Sequence, residues 1–258
     1  MGNKAYLYSA KKLIVRFGNE VNDKQKIGTC FFVQKQDIFF LITNRHLLDI
    51  NRYDDIQEDY RIKEIFFETI MPDGNIQRVQ ISHDNIVFHP NPNNDLACIK
   101  NPKLISPKSV GLMYPVGYDF LARKEELDNN LLPGDLLVYA GYPKFFDTHN
   151  NTAILRSGIV ASDPVLNYKH QQSATYGDVP GDVVAYEGFS SGGSSGSPIF
   201  AIQKGVRLGE SLTGPADFYR RPMLVGINNA HFQENASQHS GISTFVKSSA
   251  IIELVDSL

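Results

Sequence analysis

The sequence has very few cysteines and no clustered metal ligands. Only two of its 258 residues are cysteine, and both Cys30 and Cys98 fall inside apolar, strand-like stretches. We therefore expect buried free thiols in a cytoplasmic chain rather than a disulfide. No CxxC pair and no group of neighbouring His and Cys residues is present, so the sequence predicts neither a metal site nor a cofactor.

Basic stripes and long hydrophobic runs are also missing. The net charge is −3 and the sequence pI is about 6.2, which argues against nucleic acid as a partner. No apolar run reaches the length that crosses a bilayer, and no hydrophobic signal segment follows Met1. These absences predict a protein of the cytoplasm with no membrane partner.

What the sequence does contain is a series of short apolar stretches separated by turn residues. Residues 28–34 and 38–43 are typical of paired strands, and helical spacing occurs mainly at 248–258. This pattern predicts an all-β protein, and the length favours two barrels over one. We expect an N-terminal barrel over residues 1–115 and a C-terminal barrel with a final helix over residues 116–258.

Three chemically active residue types each stand at the end of a strand-like stretch. His46 follows an apolar strand, Asp95 lies between an Asn-rich turn and a strand, and Ser195 lies in a glycine-rich turn. A hydroxyl, an imidazole and a carboxylate together form a proton-transfer line that can activate the hydroxyl as a nucleophile. These three residues are therefore candidates for one catalytic site.

The segments around these residues resemble the three catalytic blocks of trypsin-like serine peptidases, in the same order along the chain. The similarity is greatest to the disulfide-poor bacterial branch of HtrA and glutamyl-endopeptidase types, and it extends over roughly residues 13–255. The motifs are Thr43-Asn44-Arg45-His46-Leu47-Leu48, Asn94-Asp95-Leu96-Ala97-Cys98-Ile99-Lys100 and Gly193-Ser194-Ser195-Gly196-Ser197-Pro198-Ile199-Phe200.

The resemblance implies a serine endopeptidase built from two six-stranded antiparallel β-barrels, acting on a polypeptide substrate. It implies that Ser195 is the nucleophile, that His46 is the general base and that Asp95 orients His46. The backbone N–H groups of Gly193 and Ser195 would form the oxyanion hole. Ser194 departs from the digestive members of the family, which carry an acid there, so activation by a new N-terminus is not expected.

The same resemblance suggests where a substrate side chain would bind. Ser190, Asn228 and His231 would approach the primary specificity pocket, and such a polar pocket would accept an acidic or polar side chain. The segment 203–221 is longer than the family pattern and is a candidate site for a regulatory protein partner.

Two alternatives remain open from the sequence. Gly192 to Gly196 also fits the G-x-S-x-G pattern, which would make Ser194 the nucleophile of an α/β-hydrolase esterase, with Asp217 and a later histidine (His231 or His239) as its partners. Pro198 would break the helix that such an elbow requires. The second alternative is a binding module that keeps the peptidase fold without turnover.

Overall fold

The computed structural model describes residues 3–53, 59–71, 73–170, 179–205, 219–235 and 238–258. Within these ranges the chain is mostly β-structure, with four short α-helices: α1 (Asn3–Ser9), α2 (Ile50–Tyr53), α3 (Lys124–Asn130) and α4 (Ser248–Asp256). The predicted all-β class is confirmed.

Nine strands of the first half form one sheet: β1 (Lys11–Gly18), β2 (Asp23–Lys35), β3 (Ile38–Thr43), β4 (Arg61–Ile70), β5 (Ile76–Ile81), β6 (Ile86–Phe88), β7 (Ala97–Lys100), β8 (Leu104–Ser106) and β9 (Val116–Gly117). Their order across the sheet is β6-β7-β3-β2-β1-β4-β5-β8, and β9 lies parallel to β2. Because β3 and β7 are neighbours, the residues that follow β3 and precede β7 meet at the same end of the sheet.

Strand β2 connects two parts of this sheet and two hydrophobic cores. Its residues up to Cys30 pair with β1, and its last five residues pair with β3. Side chains alternate between faces along a strand. Cys30 and Phe32 therefore enter the core of the first sheet, while Phe31 and Val33 enter the core between the two halves.

The second half contains a closed six-stranded barrel in the order β10-β11-β12-β15-β14-β13. Its strands are β10 (Leu136–Gly141), β11 (Ile154–Val160), β12 (Val183–Glu187), β13 (Pro198–Ala201), β14 (Met223–Asn235) and β15 (Gln238–Lys247). Tyr139, Tyr186 and Phe245 fill its interior and are almost completely buried. The predicted second barrel and the C-terminal helix are confirmed.

The first half differs from the six-stranded barrel expected for it. Its strand pairing runs over nine strands and ends at β6 and β8 within the described residues, so it forms a half-barrel sheet. The edge strand β8 has only three residues, and Pro102 and Pro107 flank it. Proline lacks an N–H donor, which limits further pairing at this edge. The division of the chain near residue 115 stays a prediction.

The chain termini pack across the two halves. Tyr6 of α1 contacts Phe200 of the second barrel, with ring centroids 5.1 Å apart. Ile251 and Leu254 of α4 are fully buried in the shared core beside Phe31 of the first sheet. These contacts join the two halves of the chain through their shared core.

Candidate active site

His46 and Asp95 form a close pair at the end of the first sheet. Thr43 of β3 pairs with Ala97 of β7, and the chain needs only three residues beyond Thr43 to reach His46. One carboxylate oxygen of Asp95 accepts the backbone N–H of His46 at 2.9 Å, and the other lies 2.6 Å from His46 Nδ1. The carboxylate thus fixes both the backbone and the ring of the histidine.

This pair is partly shielded from water. The side chain of Asp95 is 12% exposed and that of His46 is 21% exposed. Since Nδ1 faces a carboxylate, it carries the proton in the neutral ring, and Nε2 is the nitrogen through which the ring can accept another. A carboxylate in this position also stabilises the imidazolium that forms when it does.

Two further side chains hold the loops that carry the pair. The buried Asn44 donates from Nδ2 to the carbonyl oxygen of Asp95 at 2.8 Å. Lys26 donates from Nζ to the carbonyl oxygen of His46 at 3.0 Å. These two hydrogen bonds hold the backbone of Asp95 and of His46, and so support the two side chains that form the pair.

Ser195 lies in a tight turn between β12 and β13 that contains two left-handed glycines. Gly193 has φ +96° and Gly196 has φ +87°. Residues other than glycine rarely adopt this backbone conformation. A Cβ atom on Gly193 would lie 2.1 Å from the carbonyl oxygen of Tyr142, and one on Gly196 would lie 1.8 Å from that of Thr29. Glycine is therefore required at both positions.

The carbonyl groups of this turn are occupied, whereas two of its N–H groups are not. Asn228 Nδ2 donates to the carbonyl oxygen of Ser194 at 2.9 Å, and Ser194 donates its own N–H to Ser191. The N–H groups of Gly193 and Ser195 donate to no acceptor in the part of the chain that the structure describes. Such N–H groups can stabilise an oxyanion.

The turn packs directly against β2, which pairs with β3, the strand that precedes the histidine. The N–H of Thr29 in β2 donates to the carbonyl oxygen of Ser195 at 2.8 Å. The Cα of its neighbour Gly28 faces the side chain of Leu47, which follows His46 in the chain. Ser195 is partly exposed in this turn, and its meeting with His46 and Asp95 at one site stays a prediction.

Comparison with known protein families matches residues 28–209, more than two thirds of the chain, to the trypsin-like peptidase domain. The chain belongs to the trypsin-like peptidase family. A comparison with curated protein sequences finds no match.

Solved structures share the fold of this trypsin-like peptidase domain. One is Rv3671c from M. tuberculosis H37Rv, a serine-to-alanine mutant in an inactive form, with 13% identity, a TM-score of 0.50, and coverage of 95% of this chain and 85% of that one. Another is the Rv3671c protease in an inactive form, with 13% identity, a TM-score of 0.52, and coverage of 98% and 90%. At this identity the likeness shows the chymotrypsin-like fold alone.

The α/β-hydrolase alternative is wrong for this trypsin-like peptidase domain. The turn leads into strand β13 rather than into a helix, and no alternation of strands and helices surrounds it in the described residues. The side chain of Ser194 is also buried. Asp217, one of the partners that this alternative needs, lies outside the described residues.

The three residues predicted for the specificity pocket have different surroundings. Ser190 is buried, and its hydroxyl oxygen lies 3.0 Å from that of Ser243. Asn228 is also buried, and its amide links Ser194 to the hydroxyl of Tyr186, which donates at 2.8 Å. It therefore supports the turn that carries Ser195, and its contact with substrate stays a prediction.

His231 is the most accessible of the three predicted pocket residues. It is half-buried on β14, and burial lowers the pKa of its imidazole. A lowered pKa keeps the ring neutral at neutral pH, so the ring would offer hydrogen bonds rather than a positive charge.

The sequence did not predict the buried residues whose hydrogen bonds hold the segments of this site in place. Thr29 and Asn94 are fully buried, and Asn94 donates to the carboxylate of Asp182 in the second half at 2.9 Å. Asn94 lies inside the motif around Asp95, and Thr29 lies in the strand-like stretch 28–34, but neither position indicates a partner. Which groups they contact depends on the packing of distant segments.

The described residues contain neither a cluster of metal ligands nor a membrane-spanning helix. Across the described ranges, no group of three or more His, Cys, Asp or Glu side chains is arranged to hold a metal ion. No helix in the same ranges is both long and apolar enough to span a bilayer. Cys30 and Cys98 are both buried free thiols, as predicted, and burial raises the pKa of Cys98 to about 12.

Proposed function

We propose that this protein is a serine endopeptidase that uses Ser195 as nucleophile, His46 as general base and then acid, and Asp95 as the group that orients His46. The single observation that carries the proposal is the two-point contact between Asp95 and His46, on a sheet that is hydrogen-bonded to the serine turn through Thr29. The proposed substrate is a polypeptide.

In the proposed reaction, Ser195 Oγ attacks the carbonyl carbon of the scissile peptide bond while His46 Nε2 takes the hydroxyl proton. The N–H groups of Gly193 and Ser195 bind the oxyanion that develops. His46 then gives the proton to the leaving amine, the C–N bond breaks, and an acyl-enzyme remains. Water attacks that ester by the same route and regenerates the serine.

We also propose a polar primary specificity pocket formed by Ser190, Asn228 and His231. The buried Ser190 and Ser243 hydroxyls and the neutral imidazole of His231 are hydrogen-bonding groups without a formal charge. These surroundings favour an acidic or polar substrate side chain. A peptide library should show cleavage after such residues, and exclusive cleavage after bulky apolar residues would contradict this assignment.

The proposal extends to the branch, the location and the partners of the protein. The absence of a disulfide between Cys30 and Cys98 fits the HtrA and glutamyl-endopeptidase branch and a cytoplasmic location. A regulatory protein partner acting at segment 203–221 is part of the same proposal, and residues 206–218 of that segment lie outside the described residues.

Peptide hydrolysis by the purified chain and by Ser195→Ala tests the proposal. We expect the substitution to reduce kcat/KM by at least about 10⁴-fold with unchanged folding, because the nucleophile is lost. A silent binding module would instead bind peptides equally well in both forms and cleave none. The rate should also fall in acid as the imidazole protonates, and a rate that stays flat from about pH 5 to about pH 8 would contradict a histidine base.

A further inference from the structure

The fully buried Thr29 touches the nucleophile turn through both its backbone and its side chain. Its N–H donates to the carbonyl oxygen of Ser195 at 2.8 Å. Its hydroxyl donates to the carbonyl oxygen of Gly193 at 2.8 Å. One residue of the first sheet thus binds the carbonyl groups on both sides of Ser194.

The direction of the hydroxyl hydrogen bond is determined by its second partner. The backbone N–H of Tyr142 donates to Thr29 Oγ1 at 3.2 Å. A backbone N–H can only donate, so the single hydroxyl proton of Thr29 is directed to Gly193. The hydroxyl therefore links strand β10 to the turn in one fixed orientation.

We infer that Thr29 is a positioning residue for the oxyanion hole formed by the N–H groups of Gly193 and Ser195; this inference rests on the proposed function. A peptide unit is planar and trans, and the N–H of Ser195 lies in the plane that contains the carbonyl of Ser194. Thr29 holds the carbonyl groups of Gly193 and Ser195, and therefore the two peptide planes on either side of that one. Gly193 has φ +96° and, as a glycine, wide backbone freedom. The hydrogen bond from the Thr29 hydroxyl to the carbonyl oxygen of Gly193 restricts this freedom between the two N–H groups of the proposed oxyanion hole.

Asn228 performs the complementary task from the second barrel. Its side chain holds the carbonyl oxygen of Ser194 at 2.9 Å, and its own carbonyl oxygen accepts the N–H of Gly196 at 3.0 Å. The three successive carbonyl groups from Gly193 to Ser195 are therefore held alternately by Thr29, Asn228 and Thr29. The hole depends on the two halves staying in register, and Thr29 is the contribution of the first half.

The experiment compares Thr29→Val, which keeps the shape and loses the hydroxyl, with Thr29→Ser, which keeps the hydroxyl. We expect Thr29→Val to lower kcat by about 10- to 100-fold with KM within about threefold, since the loss acts on transition-state stabilisation. Thr29→Ser should retain most of kcat. An equal loss in both variants, or an unchanged kcat in Thr29→Val, would overturn the inference.

A matched control separates positioning from stability. Ser248, the first residue of α4, is also fully buried, and its hydroxyl donates to the carbonyl oxygen of Ala122 at 2.7 Å. Ser248→Ala should lower the denaturation midpoint about as much as Thr29→Val and leave kcat unchanged. A fall in kcat that simply followed the midpoint in both variants would contradict a positioning role.

A second readout does not depend on turnover. Hydrogen exchange of peptides covering residues 190–197 should become at least about tenfold faster in Thr29→Val, while peptides from β10 and β11 keep their rates. Unchanged exchange at 190–197 would overturn the inference whether or not the wild-type chain cleaves peptides. If residues 190–197 exchange faster in Thr29→Val but the wild-type chain cleaves no peptide, the result would support the positioning role and contradict only the proposed function.

Discussion

The two halves of the molecule use a shielded carboxylate in different ways. In the first half Asp95 pairs with His46, a partner that can take up and release a proton and that stays 21% exposed toward the cleft. In the second half Asp135 pairs with Arg220 at 2.5 Å, where both side chains are almost completely buried. A short contact of this kind suits proton transfer where the partner titrates, the role proposed for His46, and a purely structural role where the partner is an arginine.

The surroundings of the two carboxylates reinforce this difference. Besides pairing with Asp135, Arg220 donates to the carbonyl oxygens of Asn130 and Ile202 at 3.0 and 2.7 Å. Lys204 adds a second cation to Asp135 at 2.9 Å, and hydrogen bonding and both cations outweigh burial to lower the carboxyl pKa. These contacts join the end of α3 to the segment that follows β13 and the segment that precedes β14.

Asp95→Asn should give the largest effect on activity. An amide cannot stabilise the imidazolium and favours the wrong tautomer of His46, so kcat should fall by about 10⁴-fold. The amide oxygen can still accept the backbone N–H of His46, so the fold should be kept. Stopped-time peptide hydrolysis and a melting curve measure the two quantities, and near-normal turnover would contradict the assigned role of Asp95.

Arg220→Ala should have the opposite effect, a loss of stability rather than of activity. It leaves the carboxylate of Asp135 buried with only Lys204 as a cation, which should cost about 3–5 kcal/mol of unfolding free energy. Arg16→Ala is a matched control, because Arg16 pairs with Glu64 at 2.8 Å on the surface, and should cost less than about 1 kcal/mol. Equal losses in denaturant unfolding would contradict the distinction between the two pairs.

Lys11 provides a third case, a buried charge without a carboxylate partner in the described residues. Its Nζ donates to the carbonyl oxygens of Tyr8 and Met113, and desolvation lowers its pKa from 10.5 to about 8. The folded chain thus releases this proton more easily than the unfolded chain, and the penalty is fully present below about pH 8. Stability should rise by about 3 kcal/mol between about pH 8 and pH 10.5.

Lys11→Met tests this sign directly. The variant should be more stable than wild type at pH 7, and the difference should shrink as the pH rises toward 10.5. Burial raises the pKa of the cross-strand partner Cys30, so its thiol stays neutral in this window. Urea unfolding at several pH values measures the difference, and a gap that grows with pH would contradict the assignment.

Asn94→Ala should give the smallest effect of the series. Asn94 donates to the carboxylate of Asp182 at 2.9 Å and accepts its N–H at 2.7 Å, which links the loop before Asp95 to the second half. Loss of these two hydrogen bonds, one of them to a carboxylate, should cost about 1–2 kcal/mol of stability. Asn91→Ala removes an exposed hydrogen bond to Pro180 and should cost less, and a larger loss there would contradict the importance of burial.

The sequence predicted the parts of the site that carry a local signal. His46, Asp95 and Ser195 lie beside apolar strands in motifs that resemble one family, and the fold places His46 beside Asp95. Thr29 and Asn94 carry no comparable signal, because a buried threonine or asparagine gains its role from groups far away in the chain. Their contacts required coordinates.

The fold shows a similar limit. Closure of the second barrel was predictable from six strand-like stretches, whereas the open edge of the first sheet depends on the three-residue strand β8 between Pro102 and Pro107. Helix α3 was also missed, since its seven residues are mostly charged or polar and bury only Leu127. Short elements of this kind are defined by their tertiary neighbours.

Labelling with a fluorophosphonate, followed by mapping of the modified peptide, tests most directly whether the two halves assemble one activated serine. The account predicts a single adduct on Ser195 that is absent in Ser195→Ala and forms at least about 10³-fold more slowly in His46→Ala. Absence of an adduct in the folded wild-type chain, labelling of a different serine, or a rate unaffected by removal of His46 would contradict it.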